Sequence, residues 1–229
     1  MNAAPIHLGW IPPVRAARLA GSLARVLWDS KRTDEIVVGE EIFCQAQLGY
    51  WVRAGVFESG EGAQLLRDRA EIATADLDQL RALPDATLGR EFARFLDEQG
   101  ISLSGLAQPT PYTAEEHASY LMKRVRQSHD LWHVLLGLGT EGHEEVLVHC
   151  FSLAQTGFPY SVIIIGLGSI KHMLLEGRWD TLTRQTRAAY RIGRQTAPLL
   201  TAYWEQRWDQ PLQAVRREFG ITPMTAAAS

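Results

Sequence analysis

The 229-residue chain has only two cysteines, Cys44 and Cys150. Two isolated thiols exclude a disulfide framework and a cysteine-based metal site. Both lie in apolar sequence and read as buried, reduced core residues. No apolar run approaches the roughly 20 residues needed to cross a bilayer; the most apolar, "FPYSVIIIGLGSI", is much shorter. The opening "MNAAPIHLGWIPP" has no basic region followed by an apolar stretch, so no signal peptide is expected. Charge of either sign is not in excess: 23 Lys and Arg stand against 26 Asp and Glu, for a net charge of -3. Nucleic acid is therefore not an expected partner. There is no internal repeat, P-loop or Gly-rich dinucleotide fingerprint, so neither flavin nor nicotinamide is implied. Alternating β-branched patterns are nearly absent; "EIVVGEEI" and "SVIII" are the only segments ambiguous between strand and helix.

With 46% hydrophobic and 21% charged residues, the composition is that of a folded protein. The length favours one sizeable domain, or at most two small ones. We read a single all-α domain over residues 1–229, with 1–12 and 222–229 as flexible ends. A cytoplasmic protein is expected, in reach of a membrane surface, because charge is unevenly spread. Arg15, Arg18, Arg25, Lys31 and Arg32 cluster near the N-terminus against Asp29, and the stretch from Lys171 to Arg194 is also basic. A basic amphipathic helix is either a solvated face or a foothold on anionic lipid.

Proline and glycine punctuate the helical pattern. Pro12-Pro13 opens a helix reaching about Asp29, with Leu19, Leu23, Val26 and Leu27 as its stripe. Thr33 with Asp34 caps a second. "EGAQLLRDRAEI" is short and amphipathic. Thr74 caps a helix that stops near Pro84, and "TLGREFARFLDEQG" ends on Gly100, a natural C-cap. The longest candidate is "TAEEHASYLMKRVRQSHDLWHVLLGL". Further helical runs follow in "EEVLVHCFSLAQTG", "SVIIIGLGSIKHMLLEG", "WDTLTRQTRAAYRIGRQ" and "LLTAYWEQRWDQPLQAVRREFG".

The chemistry concentrates in "SHDLWHVLLGLGTEGHEE", Ser128 to Glu145. On a helix, His129 and His133 are four apart and share a face, with Cβ atoms about 5–6 Å apart. Two imidazoles so placed can share one cation. Asp130, about 100° further round the helix, either ligates directly or orients a ligand from behind. Gly137, Gly139 and Gly142 then break the helix. A short hairpin would return Glu144 or Glu145 to the histidine face. Two histidines with one or two carboxylates suit Zn, Fe(II), Mn or Co and leave positions open. His7, His117, His143, His149 and His172 read as capping or core histidines. The HD-type metal phosphohydrolases also use a His-Asp pair, but their further ligands stand on other helices, unlike His133 here.

His129, Asp130, His133 and Glu145 fill the pattern H-D-x-x-H-x(11)-E. With "LPDATLGREFARFLDEQGIS", "YLMKRVRQSHD", "AQTGFP" and "YWEQRWDQPLQAVRREFGI", this sequence resembles the ubiquinone (coenzyme Q) biosynthesis protein 4 family, most clearly from about Leu80 onward. The resemblance implies an all-α fold with an internal apolar cavity for a polyprenyl chain. It implies one divalent metal ion, zinc by family assignment with Fe, Co, Mn or Mg as alternatives, held by His129, Asp130, His133 and Glu145. It implies decarboxylation coupled to hydroxylation at carbon 1 of a 4-hydroxy-3-methoxy-5-polyprenylbenzoate. The alternative is a non-catalytic lipid-binding scaffold for other ubiquinone-biosynthesis proteins; a metal hydrolase of prenyl phosphates ranks third. Expected partners are the prenylated benzoate or another polyprenyl lipid, the membrane surface, those other proteins and a second copy of the chain. The expected location is then peripheral, on the cytoplasmic face of the inner membrane or on the matrix side in an organelle. Three departures from the family pattern stand out. Glu144 replaces the glycine common before the motif glutamate and is a candidate base. His149 stands where a basic residue is frequent, and Ser152 where an acidic one is. Arg124 and Arg126, just before the motif, are candidates for a substrate carboxylate or phosphate. Gly166 and Gly168 would leave room for the prenyl tail.

Overall fold

A computed structural model describes residues 5–28, 32–176 and 179–224. Among the described residues there are twelve α-helices, two 3-10 turns and no strand, so the all-α reading holds. The helices are α1 (Pro13–Trp28), α2 (Thr33–Phe43), α3 (Gln45–Arg53), α4 (Gly60–Asp68), α5 (Leu77–Ala82), α6 (Leu88–Gln99), α7 (Leu103–Leu106), α8 (Glu116–Leu136), α9 (Gly142–Thr156), α10 (Pro159–Glu176), α11 (Trp179–Gln195) and α12 (Leu212–Phe219). Both strand-ambiguous segments are helical: "EIVVGEEI" lies in α2 and "SVIII" in α10.

The spine is α8, 21 residues without a break and so about 32 Å long. Its start is fixed by Glu115, whose carboxylate accepts from the backbone N–H groups of His117 and Ala118. Its end is Gly137, at φ +70°, a left-handed position where glycine carries no Cβ penalty. The two halves of α8 serve different cores. Leu121, Met122 and Val125 pack with Leu48, Trp51, Leu65 and Tyr160. Leu131, Trp132, Leu135 and Leu136 pack with Phe92, Leu96, Phe151 and Trp204. α9 lies on α10 and α11 and meets α8 near the hairpin.

Several boundaries differ from the sequence reading. Thr74 ends a 3-10 turn, and Asp76 caps α5 instead, accepting from Asp78 and Gln79 N–H at 3.0 and 3.1 Å. α2 begins at Thr33 after Arg32, without a side-chain cap. "LLTAYWEQRWDQPLQAVRREFG" is not one helix but a 3-10 turn at Trp204–Gln206 followed by α12. Gly168 does not open space: a Cβ there would meet Val146 Cγ2 at 2.4 Å, so the missing side chain lets α10 approach α9. Gly166 does face open space. Asp29, Lys31 and the last five residues lie outside what is described, as do the side chains of Lys171 and His172.

At the N-terminal end Ile6, Leu8, Trp10, Val14 and Trp28 are exposed. The basic residues of α1 are partly spent internally: Arg18 and Arg25 pair with the buried Glu35 at 2.5 and 3.2 Å. A surface cleft of about 270 Å³ is lined by Trp10, Pro12, Arg15, Phe43, Gln45 and Ala46, among others. No helix among the described residues is long and apolar enough to cross a membrane.

Candidate metal centre

The site is built where the last turn of α8 meets the first turns of α9. His129 and His133 stack one turn apart on α8, and their Nε2 atoms approach to 3.2 Å. From α9, Glu145 places Oε2 3.2 Å from His129 Nε2 and Oε1 3.5 Å from His133 Nε2. Two imidazole nitrogens and the two oxygens of one carboxylate thus face one another. Their separations match the roughly 3.3 Å edge of a tetrahedron with metal–ligand bonds of about 2.0–2.1 Å.

His133 is oriented by the backbone. Its Nδ1 lies 2.8 Å from the Gly139 carbonyl oxygen. A carbonyl only accepts, so Nδ1 carries the hydrogen and Nε2 is left with its lone pair facing the cluster. This is the outer contact that metal-bound histidines typically make. Phe95 stacks on the ring at 5.5 Å, and His133 is fully buried. The side chains of His129 and Glu145 keep 23% and 33% exposure, so the site is open on their side. His133 also lines a second surface cleft of about 200 Å³, with Phe95, Leu212 and Arg216.

Glu144 and Glu145 divide the work that the sequence left undivided between them. Glu144 turns back on the loop: Oε1 accepts from Gly139 N–H at 3.0 Å and Oε2 from Glu141 N–H at 3.2 Å. With the Glu141 side chain it forms a capping box that starts α9. Gly139 is held on both sides, donating to Glu144 and accepting from His133, and a Cβ there would sit 2.8 Å from Glu144 Oε2. The chain Glu144–Gly139–His133 therefore ties the start of α9 to the imidazole of α8. Asp130 offers a carboxylate oxygen within 4.8 Å of ligand atoms of His129 and His133.

The electrostatics ask for a cation at the convergence point. Burial pulls the His129 pKa down, but the Glu145 hydrogen bond and the charges of Glu145, Asp130 and Glu40 outweigh it and raise the pKa to about 9. Burial pushes Glu145 up, but the two imidazoles hold it well below the usual carboxylate range. Burial raises Asp130. Without a metal, the positive charge between these groups is a proton on His129. Nitrogen and carboxylate donors at these separations fit a divalent cation in the same place.

Arg124 and Arg126 are turned elsewhere. Arg124 is buried and engages Glu205 with both terminal nitrogens, one of which also donates to the Ala202 carbonyl. Arg126 pairs with Glu40 at 2.9 Å and donates to the Val37 and Pro109 carbonyls. Both guanidiniums tie α8 to other elements and are committed to protein partners.

Sequence reasoning missed four residues here. Glu40, from α2, adds negative charge beside His129, and burial raises its own pKa. Arg216 of α12 donates to the Leu135 and Val134 carbonyls at 2.9 Å, satisfying the end of the helix that carries His133. His149 is not a plain core histidine: its ring lies 5.0 Å from that of His129, and Ser161 holds its Nδ1 at 3.2 Å. Burial depresses its pKa to about 3. A signal for His149 was present, because it follows Glu145 by four residues, the spacing of His129 and His133. Glu40, Ser161 and Arg216 are too distant in sequence to leave one.

The family described as "Coenzyme Q (ubiquinone) biosynthesis protein Coq4" matches residues 7–225. The chain is 35% identical over 222 residues to the mitochondrial ubiquinone biosynthesis protein COQ4 homolog of Mus musculus, covering 96% of this chain and 82% of the relative. It is 34% identical over 218 residues to the Homo sapiens homolog, covering 94% and 81%. A crystal structure of a putative ubiquinone biosynthesis protein from Nostoc punctiforme superposes with a TM-score of 0.71 at 26% identity, over 90% of this chain and 97% of that one. The extent of these matches and the all-α fold around the His-Asp-His-Glu cluster agree: the chain belongs to the Coq4 family of coenzyme Q (ubiquinone) biosynthesis proteins.

Proposed function

We propose that the chain is a metal-dependent decarboxylase of ubiquinone biosynthesis that acts at carbon 1 of a 4-hydroxy-3-methoxy-5-polyprenylbenzoate and couples loss of the carboxylate to hydroxylation there. The observation that carries this reading is the convergence of His129 Nε2, His133 Nε2 and Glu145 within 3.2–3.5 Å, with the His133 lone pair aimed by Gly139. His129, Asp130, His133 and Glu145 are the residues that would hold the metal, with zinc as the first choice. When bound, it supplies a Lewis acid that stabilises charge on a carboxylate or phenolic oxygen. The chain's own residues do the rest. Phe95 and the core behind it keep water from His133, and the Glu144–Gly139 link holds that ring in one tautomer. The side on which His129 and Glu145 are exposed is the approach for the substrate. Dioxygen closes the balance: one atom replaces the carboxylate at carbon 1, the other leaves as water, carbon dioxide is released, and the ring leaves at the quinone level.

The prenyl chain belongs along α10, where Val162 and Gly166 are exposed one turn apart and Ile163–Ile165 are half-buried. Each methylene buried there contributes about 0.8 kcal/mol. The exposed Trp10, Val14 and Trp28 with Arg15 suit peripheral contact with an anionic membrane, on the matrix side in an organelle or the cytoplasmic face of a bacterial inner membrane. Those same surfaces favour the second reading, a lipid-binding scaffold that presents the intermediate to other enzymes and works as a homodimer or larger assembly. The test is metal analysis joined to turnover of the prenylated benzoate, under air and under nitrogen, by wild type and His133→Ala. Catalysis predicts one divalent ion per chain, labelled oxygen at carbon 1 under ¹⁸O₂, and no product from the variant. Metal-loaded protein that binds the lipid but turns nothing over would leave only the scaffold.

A further inference from the structure

The metal-site reading leaves one side chain in the cluster without a task. His149 stands one helical turn after Glu145 on α9, as His133 stands one turn after His129 on α8. A ligand atom of His149 lies within 4.8 Å of ligand atoms of both His129 and Glu145. Its Nδ1 is engaged by Ser161 Oγ from the first turn of α10. With Ser161 Oγ accepting from Nδ1–H, Nε2 keeps its lone pair, the arrangement in which imidazoles bind metals.

We propose that His149 is an additional metal ligand in this chain, its Nε2 joining His129, Asp130, His133 and Glu145 to give three imidazoles and two carboxylates. The inference rests on the metal-site reading and extends it. Adding an imidazole moves the donor set away from the hard, oxygen-rich surroundings that magnesium and manganese prefer and toward zinc, cobalt and copper. It also gives α10 a stake in the site: Ser161 orients the ligand while Val162 and Gly166, on the same helix, line the surface assigned to the prenyl chain. Lipid seated on α10 and metal held through His149 would then be coupled.

The experiment is competitive titration of apo-protein with Zn(II), Co(II) and Mn(II), with the Co(II) visible spectrum recorded, for wild type, His149→Ala, His149→Gln and His129→Ala. Circular dichroism reports whether each variant folds. The expected result is at least a ~10-fold loss of Zn(II) and Co(II) affinity in both His149 variants, a change in their Co(II) bands, and little change for Mn(II). Copper-loaded wild type needs no variant: electron paramagnetic resonance should count three coupled imidazole nitrogens. Two nitrogens, or His149 variants with wild-type affinities and bands while His129→Ala loses the metal, would overturn the ligand and leave the metal site standing. Wild type that binds none of the three ions would overturn both.

Discussion

Replacing Glu144 with alanine separates a structural from a chemical role for the first of the adjacent glutamates. Its carboxylate accepts two backbone N–H bonds, from Gly139 at 3.0 Å and Glu141 at 3.2 Å. Loss of a cap costs about 0.5–2 kcal/mol, and each net hydrogen bond about 0.5–1.5 kcal/mol. The two descriptions overlap, so the expected destabilisation is about 2 kcal/mol, or roughly 4–8 °C in Tm for a chain of this size. Gly139 is then free to move, and with it the carbonyl that orients His133. Outer contacts of this kind change metal affinity by about 10–100-fold, so zinc binding should weaken by at least ~10-fold without being abolished. Glu144→Gln keeps one acceptor oxygen and should recover part of both losses. Calorimetry of the apo-protein and chelator competition measure the two effects. If Glu144→Ala left Tm unchanged yet removed metal binding, Glu144 would be a ligand and the capping argument would be refuted.

Three further outcomes follow from the packing. Arg216→Ala should orphan the Leu135 carbonyl at the end of α8 and leave the Val134 carbonyl with the Gly137 N–H alone, costing about 1–3 kcal/mol; hydrogen exchange should accelerate at residues 134–138, and unaltered protection there would contradict the role. Gly168→Ala should destabilise by about 1–3 kcal/mol because its Cβ meets Val146, whereas Gly166→Ala, facing open space, should be neutral or slightly stabilising; equal effects in urea melts would show that α10 does not approach α9 as described. Burial pushes the Cys150 thiol up to about 12 and Cys44 well above its ordinary value, so a disulfide probe at pH 8 should label neither until urea unfolds the chain. Labelling of native protein within minutes would count against that core.

The site was legible in sequence to the extent that it is local. A four-residue spacing on one helix puts His129 beside His133 whatever surrounds them, and the glycines after Leu136 oblige the chain to turn. The Gly100 cap was visible because a left-handed helix end selects glycine. Thr74 misled because threonine before an apolar run is a sound cap signal, and Asp76, two residues on, competed for it and won. Gly168 misled in another way: a small residue marks either a space or a close approach, and sequence cannot tell which.

What the sequence alone determined is the helical class, the end of α8 at the glycines after Leu136 and the placing of His129 beside His133, all set by periodicity and spacing within a few turns. Tertiary structure alone decided which glutamate meets the imidazoles, that Arg124 and Arg126 are committed to Glu205 and Glu40, and that His149 with Ser161 stands beside His129. Each of those outcomes depends on the rotation of one helix against another. That rotation is fixed by core packing, here by contacts such as Gly168 against Val146, and not by neighbours along the chain.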